Sequence, residues 1–167
     1  NHSDWSNSPI NLDYNSRSTF RYTFNADLSS WNTSNVTSME SMFQECYKIN
    51  FDSNTKIVTV NDVEFIAWDV SNVTNMHYMF DQCNDMDGRF DNWELSEGLK
   101  GMYIAMDNFT ADISTKIVNL NGVNINRSYI AWDTKHLTYM NLRFNQNDVV
   151  NDNINSIIMG HNWNTSN

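Results

Sequence analysis

Residues 31–50, WNTSNVTSMESMFQECYKIN, and residues 68–87, WDVSNVTNMHYMFDQCNDMD, repeat one pattern of apolar side chains at identical spacing. Trp, Val, Met, Met-Phe and Cys recur at the same offsets, while most of the residues between them change. A third, less regular copy starts at Trp132, and a fourth starts at Trp93 if one residue is inserted. A still weaker copy starts at Trp5. Apolar residues that recur in register indicate stacked repeats, whose equivalent side chains pack in columns through a shared core.

Each unit is predicted to be a short strand followed by a short helix. The β-branched Val and Thr residues of SNVTSM favour an extended backbone. Met39, Met42, Phe43 and Cys46 follow at spacings of three, four and seven residues, which place them on one face of a helix of about two turns. The predicted core comprises Trp31, Val36, Met39, Met42, Phe43, Cys46, Trp68, Val73, Met76, Met79, Phe80, Cys83, Trp132, Leu137, Met140 and Phe144.

Two inserted segments, 55–67 and 115–131, are predicted to be β-hairpins. Each has two β-branched runs around a turn, Asn61-Asp62 in the first and Asn121-Gly122 in the second. Asn-Gly between such runs is the strongest short-range hairpin signal, because both residues tolerate positive φ. The chain is interpreted as a single repeat array over residues 1–167, a segment of a longer chain. Its units start near residues 5, 31, 68, 93 and 132.

WDVSNVTNMHYMFDQC and WNTSNVTSMESMF resemble the repeat of the BspA-like leucine-rich-repeat surface proteins, in particular their mycoplasma-type branch of unknown function. The similar segments lie in 31–50, 68–87 and 132–151, and with the TKIVTVNDVEFIAWD insertion they cover about half of the chain. The resemblance implies an α/β fold, a right-handed leucine-rich-repeat-like solenoid with coils of about 25 residues. It also implies display on a cell surface and a role in binding or adhesion. It implies no catalytic residues, since the repeated motif is a packing motif.

The charge and the residue content exclude several classes of function. A net charge of -10 repels nucleic acid phosphates and anionic lipid, so neither nucleic acid nor a membrane is an expected partner. No apolar run is long enough to span a bilayer, and any export signal or anchor is expected outside this segment. No nucleophile, base and acid group together in the sequence and no Gly-rich phosphate loop occurs, so we expect neither enzyme activity nor a cofactor.

Residues 83–94, CNDMDGRFDNWE, nearly fit a twelve-residue calcium loop. Asp85, Asp87, Asp91 and Glu94 fall at ligand positions, but Cys83 stands where the first carboxylate is needed. A solvated acidic loop between units is therefore the favoured interpretation, and calcium is the weaker alternative.

Cys46 and Cys83 occupy the same repeat position, so we expect them to be close neighbours. Two buried free thiols that act as small apolar residues are the favoured interpretation, and a disulfide is the alternative. The two cysteines and four histidines show no zinc-ligand spacing. Asn35 and Asn72 share another repeat position, where amides that bond between stacked units are favoured over glycosylation.

Two functional hypotheses remain. In the first, the chain is a non-catalytic protein at the cell surface or outside the cell, and it recognises a protein or glycan on another cell or in the matrix. In the second, it is a structural subunit or spacer of a filament, sheath or virion that assembles end to end. For stability, the sequence predicts that Met76→Asp unfolds the array, whereas Asn75→Asp is nearly silent.

Overall fold

The computed structural model describes residues 23–87, 89–106 and 111–144. The strands are β1 (Lys56–Val60), β2 (Val63–Ala67), β3 (Gly101–Met106), β4 (Lys116–Asn121), β5 (Asn126–Ala131) and β6 (Tyr139–Phe144). β1 pairs with β2 and β4 with β5 in antiparallel hairpins, whereas β3 and β6 pair in parallel. We call β1–β2 hairpin 1 and β4–β5 hairpin 2.

The predicted α/β solenoid of strand and short-helix coils is wrong. The described residues between 24 and 144 include no helix, and their strands form small two-stranded sheets. The described residues therefore do not form the right-handed leucine-rich-repeat-like architecture that the resemblance implied.

Segment 39–46 shows why a helix does not form. An α-helix needs successive N–H groups for bonds to the carbonyl four residues back, but here alternate N–H groups point to the next unit. Ser41 and Glu45 also have φ of 53° and 63°, outside the helical region. The N–H groups that leave the segment are those of Met39, Ser41, Phe43 and Glu45, which donate to Asn75, His77, Met79 and Asp81 at 2.8–3.0 Å. Those of Met42, Gln44 and Cys46 bond three residues back.

Equivalent aromatic side chains of neighbouring units stack, as the repeat register predicts. The rings of Phe43 and Phe80 lie 5.7 Å apart with their planes 8° from parallel. The indoles of Trp31 and Trp68 are 6.3 Å apart at 9°. Those of Trp93 and Trp132 are 6.3 Å apart at 11°. The repeated apolar residues therefore meet in the core, although the backbone that carries them is not helical.

Most of the predicted core side chains are buried, and the remainder lie at the margin of the core. The buried ones are Val36, Met39, Phe43, Cys46, Trp68, Val73, Met76, Met79, Phe80, Cys83 and Trp132. The partly buried ones that pack against this core are Trp31, Met42, Leu137 and Met140. The side chain of Phe144 lies outside what the structure describes.

Side-chain polar groups join different repeat units. The buried indole N–H of Trp68 donates to the carbonyl of Leu28 at 2.8 Å, and that of Trp93 donates to Ser53 at 2.7 Å. A buried donor without a partner is costly, so these bonds fix the depth of each indole. The amide of Asn72 donates to the carbonyl of Ser34 at 2.8 Å, which confirms the predicted bonding role at this position.

The hairpins form in the segments where the sequence places them, but only one turn has the predicted form. Asn61 and Asp62, at φ of 50° and 62°, make the two-residue turn of hairpin 1. In hairpin 2, Asn121 pairs with Asn126, so the predicted Asn121-Gly122 turn is replaced by a four-residue loop, 122–125. Lys116 pairs with Ala131 as Lys56 pairs with Ala67, but four more residues lie between them, so both strands and the loop of hairpin 2 are longer.

Candidate functional site

The exposed large apolar side chains of the described residues concentrate on the hairpins. Tyr78 is the exception, since it lies in a repeat unit. Exposed aliphatic side chains on a polar, acidic chain are candidate contacts for a partner. The five on the hairpins are Val60, Val63, Ile117, Val123 and Ile130.

Glu64 of hairpin 1 binds the loop of hairpin 2. Its carboxylate accepts backbone N–H bonds from Val123, Asn124 and Ile125 at 2.9, 2.6 and 3.1 Å. A Cβ added at Gly122 would lie 2.2 Å from this carboxylate, so glycine permits its close approach. The bonds from Asn124 and Val123 lower the pKa of Glu64, which keeps it ionised at neutral pH. We call this arrangement the Glu64 clamp.

Arg127 of β5 ties hairpin 2 to two repeat units. Its guanidinium donates to Asp69 at 2.7 Å and to Glu94, and it lies 5.4 Å from the ring centroid of Tyr129. Burial raises the pKa of Glu94, and this effect outweighs the opposing charge of Arg127. Burial alone would lower the pKa of Arg127. The hydrogen bonds and negative charges of Asp69 and Glu94 outweigh this effect and raise the pKa. The guanidinium therefore serves as a structural tie.

Tyr129 also joins hairpin 2 to a repeat unit. Its hydroxyl donates to the carbonyl of Asn92 at 2.6 Å. Burial raises the pKa of Tyr129 to about 12, so the phenol stays protonated. A protonated phenol with a fixed acceptor positions hairpin 2, and it is a poor proton acceptor at neutral pH.

The carboxylates of the possible calcium loop are engaged separately. Asp85 pairs with Lys48 at 3.2 Å, and Asp87 pairs with Arg89 at 2.7 Å. Asp91 accepts hydrogen bonds from the side-chain amide of Asn54 and the backbone N–H of Asp112, and Glu94 pairs with Arg127. Nowhere in the part of the chain that the structure describes do three His, Cys, Asp or Glu side chains group in a way that could hold a metal ion.

Cys46 and Cys83 are both buried and both free thiols, which is the favoured interpretation of the sequence. The thiol of Cys83 donates to the carbonyl of Phe43 at 3.0 Å. Burial, and then the neighbouring Cys46, raise the pKa of Cys83. Because the thiolate is the reactive form, this site disfavours nucleophilic chemistry.

The sequence matches the family described as "Mycoplasma protein of unknown function, DUF285" over residues 3–117 and 121–167. The chain belongs to that family. Membership agrees with the mycoplasma-type part of the resemblance, whereas the leucine-rich-repeat architecture is not confirmed for this DUF285 member. No curated protein and no solved structure matches it. Among the residues described for this DUF285 chain, none form a helix with the length and apolarity needed to cross a membrane.

The clamp and the arginine tie of this DUF285 protein were not found from its sequence. Glu64 and Val123 are 59 residues apart, and Arg127 and Asp69 are 58 apart. One weak signal was present, since Glu64 is a charged residue in an otherwise apolar strand, VEFIA. The sequence does not identify the groups that its carboxylate binds.

Proposed function

We propose that this DUF285 chain is a non-catalytic, surface-displayed recognition protein that binds a protein or glycan on another cell or in the matrix. One observation carries the proposal. Val123, at the tip of hairpin 2, has 90% of its surface exposed, while its own backbone N–H is bound by Glu64. An apolar side chain on a fixed loop is an anchor that binds without a large ordering cost.

The loop is held by a rigid base. Tyr129 and Val118 of hairpin 2 are buried, and Arg127 bonds to both Asp69 and Glu94. Binding residues on loops that a rigid scaffold positions are common in recognition proteins. The exposed aliphatic side chain favours a protein partner over a glycan, because apolar anchors bind in apolar pockets of proteins.

Display at the cell surface is supported by the resemblance to surface proteins and by membership of the Mycoplasma family. The acidic charge supports a polypeptide or glycan target over nucleic acid, because phosphates are repelled.

The test is binding of the labelled chain to arrays of extracellular-matrix proteins and glycans. Val123→Ser is expected to reduce binding to the captured partner at least tenfold. Glu64→Gln is expected to weaken binding as well, because an amide is a poorer acceptor for the loop N–H groups. Asn50→Ser, at an exposed position in a repeat unit, is the control and should bind as wild type does.

Two outcomes would refute the proposal. The first is that no protein or glycan on the arrays is bound. The second is that a partner binds wild type and Val123→Ser equally well, which would separate binding from the loop.

A further inference from the structure

The two hairpins are equivalent elements, and each has two faces. Aligning Ala67-Trp68 with Ala131-Trp132 places Ile66 over Ile130 and Phe65 over Tyr129, and Thr55-Lys56-Ile57 aligns with Thr115-Lys116-Ile117. Alternate residues of a strand point to opposite faces of a hairpin. The inner face of hairpin 2 carries Val118, Leu120 and Tyr129, which are buried. Its outer face carries Ile117, Asn119, Asn121, Asn126, Ser128 and Ile130.

The outer face of hairpin 2 is uncovered, but the corresponding face of hairpin 1 is not. Ile117 and Ile130, which pair across hairpin 2, are 72% and 48% exposed. Their counterparts Ile57 and Ile66, which pair across hairpin 1, are partly buried against the core. The difference is the presence of a neighbouring hairpin. Glu64 shares its face with Ile57 and Ile66 and binds the loop of hairpin 2, and strands β1 and β4 are in contact.

The opposite face of hairpin 1 is open only beside its turn. The positions aligned with the inner face of hairpin 2 are those of Val58, Val60, Val63 and Phe65. Val58 and Phe65 are partly buried against the core, whereas Val60 and Val63 are 43% and 62% exposed. One molecule therefore carries two exposed apolar pairs, one beside the turn of hairpin 1 and one on the outer face of hairpin 2.

We propose that a second copy of this chain docks the Val60/Val63 face of its hairpin 1 on the Ile117/Ile130 face of hairpin 2. The template is the packing of hairpin 2 on hairpin 1 within one chain. Such a contact joins two different surfaces, so it is heterologous and can continue from copy to copy. This inference goes beyond the proposed function, because both the partner and the surface differ.

Electrostatics permit this contact and make it weaker than the one within the chain. The outer face of hairpin 2 presents two isoleucines, three amides and a hydroxyl, so docking buries no carboxylate there. The position aligned with Glu64 is Ser128, which cannot supply the charged acceptor of the clamp. Association is therefore expected to be weak, so that monomers predominate at low protein concentration and assemblies form as the concentration rises.

The test is sedimentation velocity of the purified chain over a concentration series up to several hundred micromolar. Wild type should sediment faster as concentration rises. Ile117→Glu and Val63→Glu should each remain monomeric at concentrations where wild type associates, because each places a charge in the contact. Asn50→Glu adds the same charge at an exposed position away from the hairpins and should behave as wild type. Circular dichroism of each variant shows whether the fold is kept.

An equimolar mixture of Ile117→Glu and Val63→Glu decides the geometry. Each variant keeps one intact face, so the mixture should form dimers and stop there. The proposal is overturned if wild type stays monomeric throughout, if Val63→Glu associates as wild type does, or if the mixture remains monomeric. Loss of self-association would leave array binding through Val123 unchanged, so the two proposals fail separately.

Discussion

Replacing both stacked phenylalanines, Phe43 and Phe80, should reveal a coupling energy of about 1 kcal/mol between neighbouring repeat units. The two rings are 5.7 Å apart and nearly parallel, and both are buried. Leucine keeps most of the side-chain volume, so each single Phe→Leu change should cost about 1–1.5 kcal/mol. A stacked aromatic pair contributes about 0.5–1.5 kcal/mol beyond its buried area, and this contribution is lost with either ring. The double variant should therefore cost less than the sum of the two single variants.

The assay is equilibrium urea unfolding of wild type, both single variants and the double variant, followed by circular dichroism and tryptophan fluorescence. A slope of about 1–3 kcal/mol/M converts each single change into a midpoint shift of roughly 0.3–1.5 M. The control cycle combines Phe43→Leu with Trp132→Phe, whose ring contacts are with Trp93 and Phe90. Distant pairs add within about 0.5 kcal/mol, so the control should show no coupling. Coupling below about 0.3 kcal/mol for Phe43 and Phe80, or equal coupling in both cycles, would refute the stacking argument.

Four further experiments test other contacts. Met76→Asp places a charge at a buried position, so urea unfolding should show a loss of several kcal/mol, and a loss below about 1 kcal/mol would contradict its burial. Asn75→Asp was predicted from the sequence to be nearly silent, but the side-chain amide of Asn75 donates to Glu40 at 2.9 Å. Replacing it with a carboxylate places two negative charges together and should cost about 0.5 kcal/mol of stability, and less at 1 M salt. A cost that does not change with salt would contradict this charge repulsion. Tyr129→Phe removes a hydroxyl that donates to the carbonyl of Asn92 at 2.6 Å and should cost about 1–1.5 kcal/mol by urea unfolding; a cost below about 0.3 kcal/mol would contradict this role. The lowered pKa of Glu64 means that the clamp contributes stability above the ordinary value of 4.5 and loses it as pH falls through the lowered value. Hydrogen exchange of the loop N–H groups should therefore show protection that declines over that range, whereas Glu64→Gln should show weaker protection without this decline; the same decline in Glu64→Gln would contradict the assignment to Glu64.

The amino-acid sequence by itself determined which side chains meet in the core. Phe43 and Phe80 occupy equivalent positions of the repeat, and they stack. Apolar burial depends on the spacing of side chains, and that spacing can be read without knowing the backbone. The first hairpin turn was also local, because Asn61 and Asp62 themselves tolerate the positive φ that it needs.

The conformation of each unit was decided by tertiary structure. Met39, Phe43 and Cys46 have helical spacing, yet the segment forms turns, because alternate N–H groups bond to a unit 36 residues away. Short helices are marginal alone, so bonds between units decide the backbone.

The candidate site likewise depended on contacts far apart in the sequence. The loop of hairpin 2 is shaped by Glu64, about 60 residues earlier, and Arg127 is placed by Asp69 and Glu94. The exposure of Ile117 and the partial burial of its counterpart Ile57 follow from which hairpin has a neighbour. The sequence repeats these residues alike, and only packing in three dimensions makes one face covered and the other open, because burial is a property of neighbours and not of residue type.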